Sequence, residues 1–599
     1  MSREGRPSPG PAGSGHVSRA GDFAPNTRLI LLSAFAIVIG VLSTVGAVGL
    51  LGAIRFFTNL FFFQTLSFAA RSPADNHLGL GVIAVPVIGG LIVGLMARFG
   101  SEKIRGHGIP EAIETILYGK SRMSAKVAIL KPLSSGIVIG SGGPFGAEGP
   151  IIVTGGAAAS LLAQAFHLTA AERKALLVAG ACAGMTAVFG TPLAAILLAV
   201  ELLLFELRPR SLLPVALSCA VAGFLRPLWT GAAPLFPLAT PSPTWGALLS
   251  CCAAGLLCGV ISSAMTATLY RVEDFFGRLP IHWMWWPALG GLVVGLGGVI
   301  APRALGVGYD VIGDLLAHDL ATSAALTLLL VKFAIWVVAL GSGTSGGVLA
   351  PLLMIGAGVG SVLSAWLPGG SPQLWSLVCM AAMLAGTMRA PLTAVVFAFG
   401  LTQDANAFLP TILGCAIAYG FTVIAMPRSI LTEKIARRGR HVLREYGVDP
   451  LERHFVDEVM TRAVVSIPGG ATVAEALGGY FGSTQHHRAY PLVDDGRLLG
   501  MIDRETVNRL AAIDALKTIG GLISASPVPD YALPGETCRA VAQRLAAAGQ
   551  ERVAVVDDPI SLRVVGIVSR SDLLKPLRAQ HEEESLRERV FGGRGASSR

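Results

Sequence analysis

Charge is what this chain has least of. Only 14% of its 599 residues are Asp, Glu, Lys or Arg, and seven windows (29–54, 78–97, 175–200, 229–270, 283–302, 333–388 and 405–427) contain none at all. A soluble protein of this size needs a charged surface, so these windows exclude a wholly soluble chain. About 20 apolar residues cross a bilayer as a helix, so several windows can span and two could span twice, and more than ten helical segments are expected. Cysteine pairs are also missing. Of eight cysteines, seven (Cys182, Cys219, Cys251, Cys252, Cys258, Cys379, Cys415) lie in apolar sequence and Cys538 lies near the C-terminus, with no CxxC spacing to support a zinc site or a disulfide framework. The first 27 residues lack the apolar core and small-residue cleavage site of a secretory signal and read as a flexible tail.

The charge that is present sums to +9 and lies mostly outside the apolar windows. It reads as loops and tails facing anionic cytoplasmic lipid, not as a nucleic-acid surface. The expectation is an integral multi-pass protein of the plasma (inner) membrane with both tails cytoplasmic.

Internal similarity organises the apolar part. PVIGGLIVGL from Pro86 returns as PALGGLVVGL from Pro287, at an offset of 201 that also carries Lys131 onto Lys332, Gly146 onto Gly347 and Pro150 onto Pro351. The membrane part, 28–428, therefore reads as two related halves, about 28–228 and 245–428. Transporters built from repeats place their site where the halves meet. Three segments share the form Gly-x-x-x-Pro: GHGIP at 106–110, GAEGP at 146–150 and GVLAP at 347–351. Glycine followed by proline marks a helix start, and a helix that starts inside the membrane aims unpaired N–H groups and its positive dipole end at whatever lies ahead. Such starts converging on one point bind a small anion without any full positive charge. The plainer alternative is that the glycines only allow tight helix packing.

Beyond the membrane part, 429–454 is basic and weakly helical and reads as a linker helix. A smaller repeat follows: RAYPLVDDGRLLGMIDRETVNRL at 488–510 is echoed by RVAVVDDPISLRVVGIVSRSDLLKPL at 552–577. Each copy reads strand, turn, strand, helix after a helical stretch. The copies are bounded at 455–512 and 513–578, with a flexible tail over 579–599.

Over residues 30 to 578 the chain resembles the CLC family of chloride channels and chloride/proton exchangers with a C-terminal pair of CBS domains. The resemblance implies an all-α polytopic membrane domain with two inverted repeats, an α/β CBS pair, and a homodimer in which each subunit holds its own anion pathway. It also implies that Glu148, in GAEGP, is a gate that occupies an anion position until protonation or an arriving anion displaces it. The other reading of Glu148 is a helix cap and nothing more. Carried over residue by residue, the anion-binding set is His107, Gly108, Ala147, Gly149, Val348, Leu349, Ala350 and Leu431. This sequence departs from the family pattern at four of these: His107 stands for a serine, Ala147 for a basic residue, Leu349 for an aromatic one and Leu431 for a tyrosine. His107 either adds charge or relays protons at the site, or, as the favoured reading, is a neutral imidazole bonded to a backbone carbonyl.

Exchangers of the family carry a second glutamate that relays protons. Here Glu201 matches the first of the usual glutamate pair and Leu202 falls on the relay position, where no proton can be carried. Glu206 is expected to pair with Arg208 or Arg210 at a helix end. A passive channel for chloride or similar small anions is therefore favoured over a proton-coupled exchanger. A nucleotide-regulated transporter of another ion is a third reading, but a cation pathway would want rings of carboxylates or carbonyls that the Gly-x-x-x-Pro starts do not offer. No enzymatic activity, metal or required cofactor is expected. In the tail, Ser569 and Asp572 fit either an adenine-nucleotide contact, as CBS resemblance implies, or a helix cap, while the first copy has Asp503 to Thr506 without that pattern.

Overall fold

A computed structural model describes residues 28–119, 121–439, 442, 449–482, 485, 487–523 and 530–578. The expected tails at 1–27 and 579–599, and residues 440–441 and 443–448 of the expected linker, lie outside the described residues. The chain divides into two compact units near residue 445.

In the first unit the charge-free windows are mostly helical, with 231–246 the longest non-helical stretch, because backbone N–H and C=O groups in hydrocarbon must pair within their own segment. Eight helices among the described residues are long and apolar enough to cross a membrane. Arg28–Phe63, at 36 residues, is about 54 Å long. That exceeds a hydrocarbon core of about 30 Å, so it is long enough to cross even when tilted. Leu349–Trp366 is enclosed by other helices over 72% of its apolar window. The chain therefore spends a helix of membrane-crossing length and hydropathy largely inside the bundle.

The two halves touch through equivalent residues. A Cβ on Gly90 would lie 2.3 Å from the carbonyl oxygen of Pro287, and one on Gly291 would lie 2.3 Å from that of Pro86. Helices Ala84–Phe99 and Trp286–Ile300 thus cross backbone to backbone, through the residues that the repeated PxxGGLxVGL motif supplies. Reciprocal contact of this kind is what a two-fold relation between the halves produces.

The second unit holds two copies of one three-stranded sheet. In the first, Ile467–Pro468 runs parallel to Ala489–Asp494, which pairs antiparallel with Arg497–Asp503. In the second, Tyr531–Ala532, Arg552–Val556 and Val564–Ser569 repeat that order. Each central strand slips register near its end, at Leu492/Val493 and Val555/Val556. Helices Val473–Gly479 and Cys538–Ala548 precede the strand pairs, and Arg504–Asp514 and Arg570–Leu573 follow them. The first unit ends with helix Ile430–Arg437, and the second has a short helix at Pro450–Arg453. All eight cysteines are free thiols.

Candidate functional site

The three Gly-x-x-x-Pro segments are helix starts. Helix Ile109–Leu117 follows Gly108, whose φ of 90° lies where a side chain would be strained. Glu148–Gln164 follows Ala147, and Leu349–Leu363 follows Val348. The starts from the two halves pair with each other. Gly146 N–H donates to the Gly347 carbonyl at 3.3 Å and Gly347 N–H donates to the Gly146 carbonyl at 2.9 Å. Gly106 forms a parallel bridge with Ser345. A Cβ on Gly149 would fall 1.8 Å from the His107 carbonyl oxygen. Only bare backbone lets these turns approach so closely.

Glu148 is the charge at this junction. Its side chain is fully buried, and Oε1 accepts the backbone N–H of Ala350 at 3.1 Å. Ala350 is in the first turn of the helix from the other half, so the carboxylate of one repeat sits on the positive end of a helix of the other. Oε2 is buried without a hydrogen-bond partner among the described residues. The cradle around it is made by absent side chains, since a Cβ on Gly146 or Gly347 would lie 1.8 Å or 2.5 Å from Oε2. Among the described residues no cation lies within 4 Å of this carboxylate, so backbone N–H groups at the helix tip, and not an ion pair, hold it.

The structure gathers His107, Gly108, Ala147, Gly149, Val348, Leu349 and Ala350 on these three adjoining starts. His107 is buried, and its Nδ1 has no partner among the described residues, so that nitrogen makes none of the carbonyl bonds expected of it. Leu431 is fully buried near the start of Ile430–Arg437, a helix packed against Ile109–Leu117. The carbonyl of its neighbour Ile430 accepts the Tyr270 hydroxyl at 2.5 Å. Ser569 and Asp572 lie in the tail unit, where Asp572 N–H donates to Ser569 Oγ at 3.3 Å and the Asp572 carboxylate pairs with Lys575 at 2.7 Å. That is a complete helix cap with its own counterion. A cavity of about 790 Å³ in the same unit is lined by Asp503, Thr506 and Arg552, among others, and not by Ser569 or Asp572.

Glu201 lies in a wide helical turn, Ala199–Leu204. Its carboxylate accepts Leu392 N–H at 3.2 Å, Thr393 N–H at 2.7 Å and the Thr393 hydroxyl at 2.6 Å. It is thereby committed to capping helix Pro391–Thr402 of the other half. Leu202 beside it is fully buried. Glu206 pairs with Arg208 at 3.7 Å, as expected, and also with Lys174 at 3.7 Å and the Ser211 hydroxyl at 2.8 Å.

Sequence reasoning passed over two features. The lysines of the repeat, used only to set the offset, are fully buried supports. Lys131 Nζ donates to the carbonyls of Ile104 and Gly106 at 2.8 and 2.7 Å, and Lys332 Nζ donates to those of Ala304 and Gly306 at 2.9 and 2.8 Å. Each steadies the turn before a helix start. The second such turn, Gly306-Val307-Gly308 before helix Tyr309–Ala317, is the counterpart of Gly106-His107-Gly108 and lacks the proline that flagged the others. Tyr309, its first helical residue, has a buried hydroxyl without a partner among the described residues and lies within electrostatic reach of Glu148. The signal was available in the Gly-x-Gly spacing at an offset of 200.

Comparison with known proteins accords with this architecture. A family model described as voltage gated chloride channel matches residues 89–423, and a CBS domain model matches 456–512 and 520–579. The voltage-gated ClC-type chloride channel ClcB of Citrobacter koseri is 29% identical over 398 residues, covering 64% of this chain and 94% of the relative. The crystal structure of a slow cyanobacterial chloride/proton antiporter superimposes with a TM-score of 0.61 at 22% identity, covering 69% of this chain and 99% of that one. A eukaryotic CLC transporter structure superimposes with a TM-score of 0.57 at 20% identity, covering 91% of this chain and 98% of that one.

Proposed function

The chain belongs to the voltage gated chloride channel family, and from that premise we propose that it moves chloride or a similar small anion passively across the membrane, gated by Glu148. The observation that carries the proposal is the Glu148 carboxylate on the Ala350 N–H, an acidic side chain lodged where the helix tip of the other half favours a negative ion. Protonation removes the charge that the helix tip holds and releases the side chain. An incoming anion competes for the same N–H group. The anion-binding set is the three converging starts, with Lys332 adding positive potential within reach of Glu148.

Passive conduction is supported by what lies behind the gate. Leu202 carries no proton, and both oxygens of Glu201 are taken up by the Leu392 and Thr393 donors. The proposal extends to a homodimer in the plasma membrane with cytoplasmic tails, as the family resemblance implies. It includes an adenine nucleotide as a regulator bound by the CBS pair.

Purified full-length protein in liposomes with a chloride gradient tests this reading. The zero-current potential is measured while the external pH is varied. A passive pathway leaves that potential independent of pH. A systematic shift with pH assigns coupled chloride/proton exchange, the second reading, for which the similarity to a chloride/proton antiporter fold is the supporting observation.

A further inference from the structure

Glu111 is an acid in an inconvenient place. It stands in the first turn of the helix that begins at His107 and Gly108, and its Oε2 accepts the Gly108 N–H at 2.9 Å. It therefore takes up one donor of a helix tip that should attract anions, and it brings a full negative charge to that tip. The fold does not require it, because Val311 occupies the matching position of the Gly306-Val307-Gly308 start.

Its other oxygen shows how the charge is offset. Arg438, just beyond helix Ile430–Arg437, donates to Glu111 Oε1 at 3.1 Å and to Glu114 Oε2 at 2.5 Å. Lys434, from the same helix, brings its ammonium to the same side of Gly106 as the Glu111 carboxylate, where an added Cβ would lie 2.8 Å from Nζ and 3.1 Å from Glu111 Oε1. Lys131 closes the turn from beneath through the Gly106 carbonyl. The Glu111 and Glu114 carboxylates are largely buried, at 15% and 23% exposure, so their charges are poorly screened by water.

We propose that Arg438 is a positioning residue of the anion pathway: by neutralising Glu111 while Glu111 caps Gly108, it keeps the His107–Gly108 helix start attractive to anions. This rests on the reading of that start as part of an anion pathway. Without Arg438 the capping carboxylate loses its one ion-pair hydrogen bond among the described residues and keeps only the nearby charges of Lys434 and Lys131, so more of its negative charge is felt within one helical turn of the site. The defect is electrostatic and is therefore repaired by removing the opposing charge, which a purely structural defect is not.

Chloride efflux from liposomes containing the full-length protein tests this, together with calorimetric chloride titration of the same protein in detergent. Arg438→Ala is expected to lower chloride affinity and efflux by about tenfold, the scale of one poorly screened charge at this range. Arg438→Lys should retain most of both. Adding Glu111→Gln to Arg438→Ala should restore them, because Gln still caps Gly108 but carries no charge. Wild-type behaviour in Arg438→Ala overturns the inference, and so does failure of Glu111→Gln to rescue a defective Arg438→Ala. A wild-type protein that neither binds nor moves chloride sinks the pathway reading itself, whereas an active wild type with an indifferent Arg438 sinks only this inference.

Discussion

Glu148→Gln keeps the shape of the gate and removes its charge. It is expected to raise efflux and flatten the response of efflux to pH, and unchanged efflux with an unchanged pH response would reduce Glu148 to a helix cap. Gly146→Ala asks the same question with the carboxyl retained. The three atoms nearest the new Cβ all belong to the Glu148 carboxyl group, with Oε2 at 1.8 Å, so the carboxylate must leave its seat. Efflux should rise as it does in Glu148→Gln, measured in the same liposomes. The buried lysines make a contrasting prediction. Lys332→Met leaves the Ala304 and Gly306 carbonyls without their charged donor, at a cost of about 2 to 3 kcal/mol. This should appear as a lowered thermal midpoint of the protein in detergent. A single residue could be found by pattern when it broke a pattern: Glu148 stood out as an acid in apolar sequence. Lys131 and Lys332 were visible only as a register mark, since nothing local says that their ammonium groups bond carbonyls more than 20 residues away.

Among the elements, the helix starts were the most legible. Gly-x-x-x-Pro encodes its own geometry, with glycine giving the turn and proline fitting the first helical position. The Gly306-Val307-Gly308 start escaped because it has the glycines without the proline. Glu201 escaped for a different reason. The sequence marked it as a member of a glutamate pair, but its role is to cap Pro391–Thr402, a helix almost 200 residues further on. Glu201→Ala should therefore destabilise the membrane unit by about 1 to 2 kcal/mol. Thermal unfolding measures this, and the zero-current potential should remain independent of pH. In the tail, the cap at Ser569 and Asp572 predicts that Ser569→Ala lowers the stability of that unit by about 1 kcal/mol with or without adenosine monophosphate. Loss of nucleotide binding at unchanged stability would assign the pair to a ligand instead.

For the whole molecule, acid stability is set partly by the tail. Its carboxylates Asp503, Asp558 and Glu458 are held below their ordinary range by hydrogen bonds from Thr506, Ser561 and His454 respectively. Depressed carboxylates contribute stability above the unfolded-state value of about 4 and lose it as pH falls through their folded values. Unfolding of the tail unit, followed by circular dichroism, should therefore begin only below about pH 4. A transition between pH 5 and 7 would point to other groups.

The sequence alone determined the membrane class, the repeat, the CBS pair and the helix starts, because hydrophobic run length, periodicity and glycine or proline chemistry are local properties that neighbouring residues set together. The tertiary structure decided which starts meet, that Glu148 of one half lodges on the Ala350 N–H of the other, and that Arg438 compensates Glu111. Those are contacts between residues separated by about 200 positions or more. Only tertiary packing, of the two halves on each other and of the segment after residue 428 on the first, brings such distant donors and charges within hydrogen-bonding range.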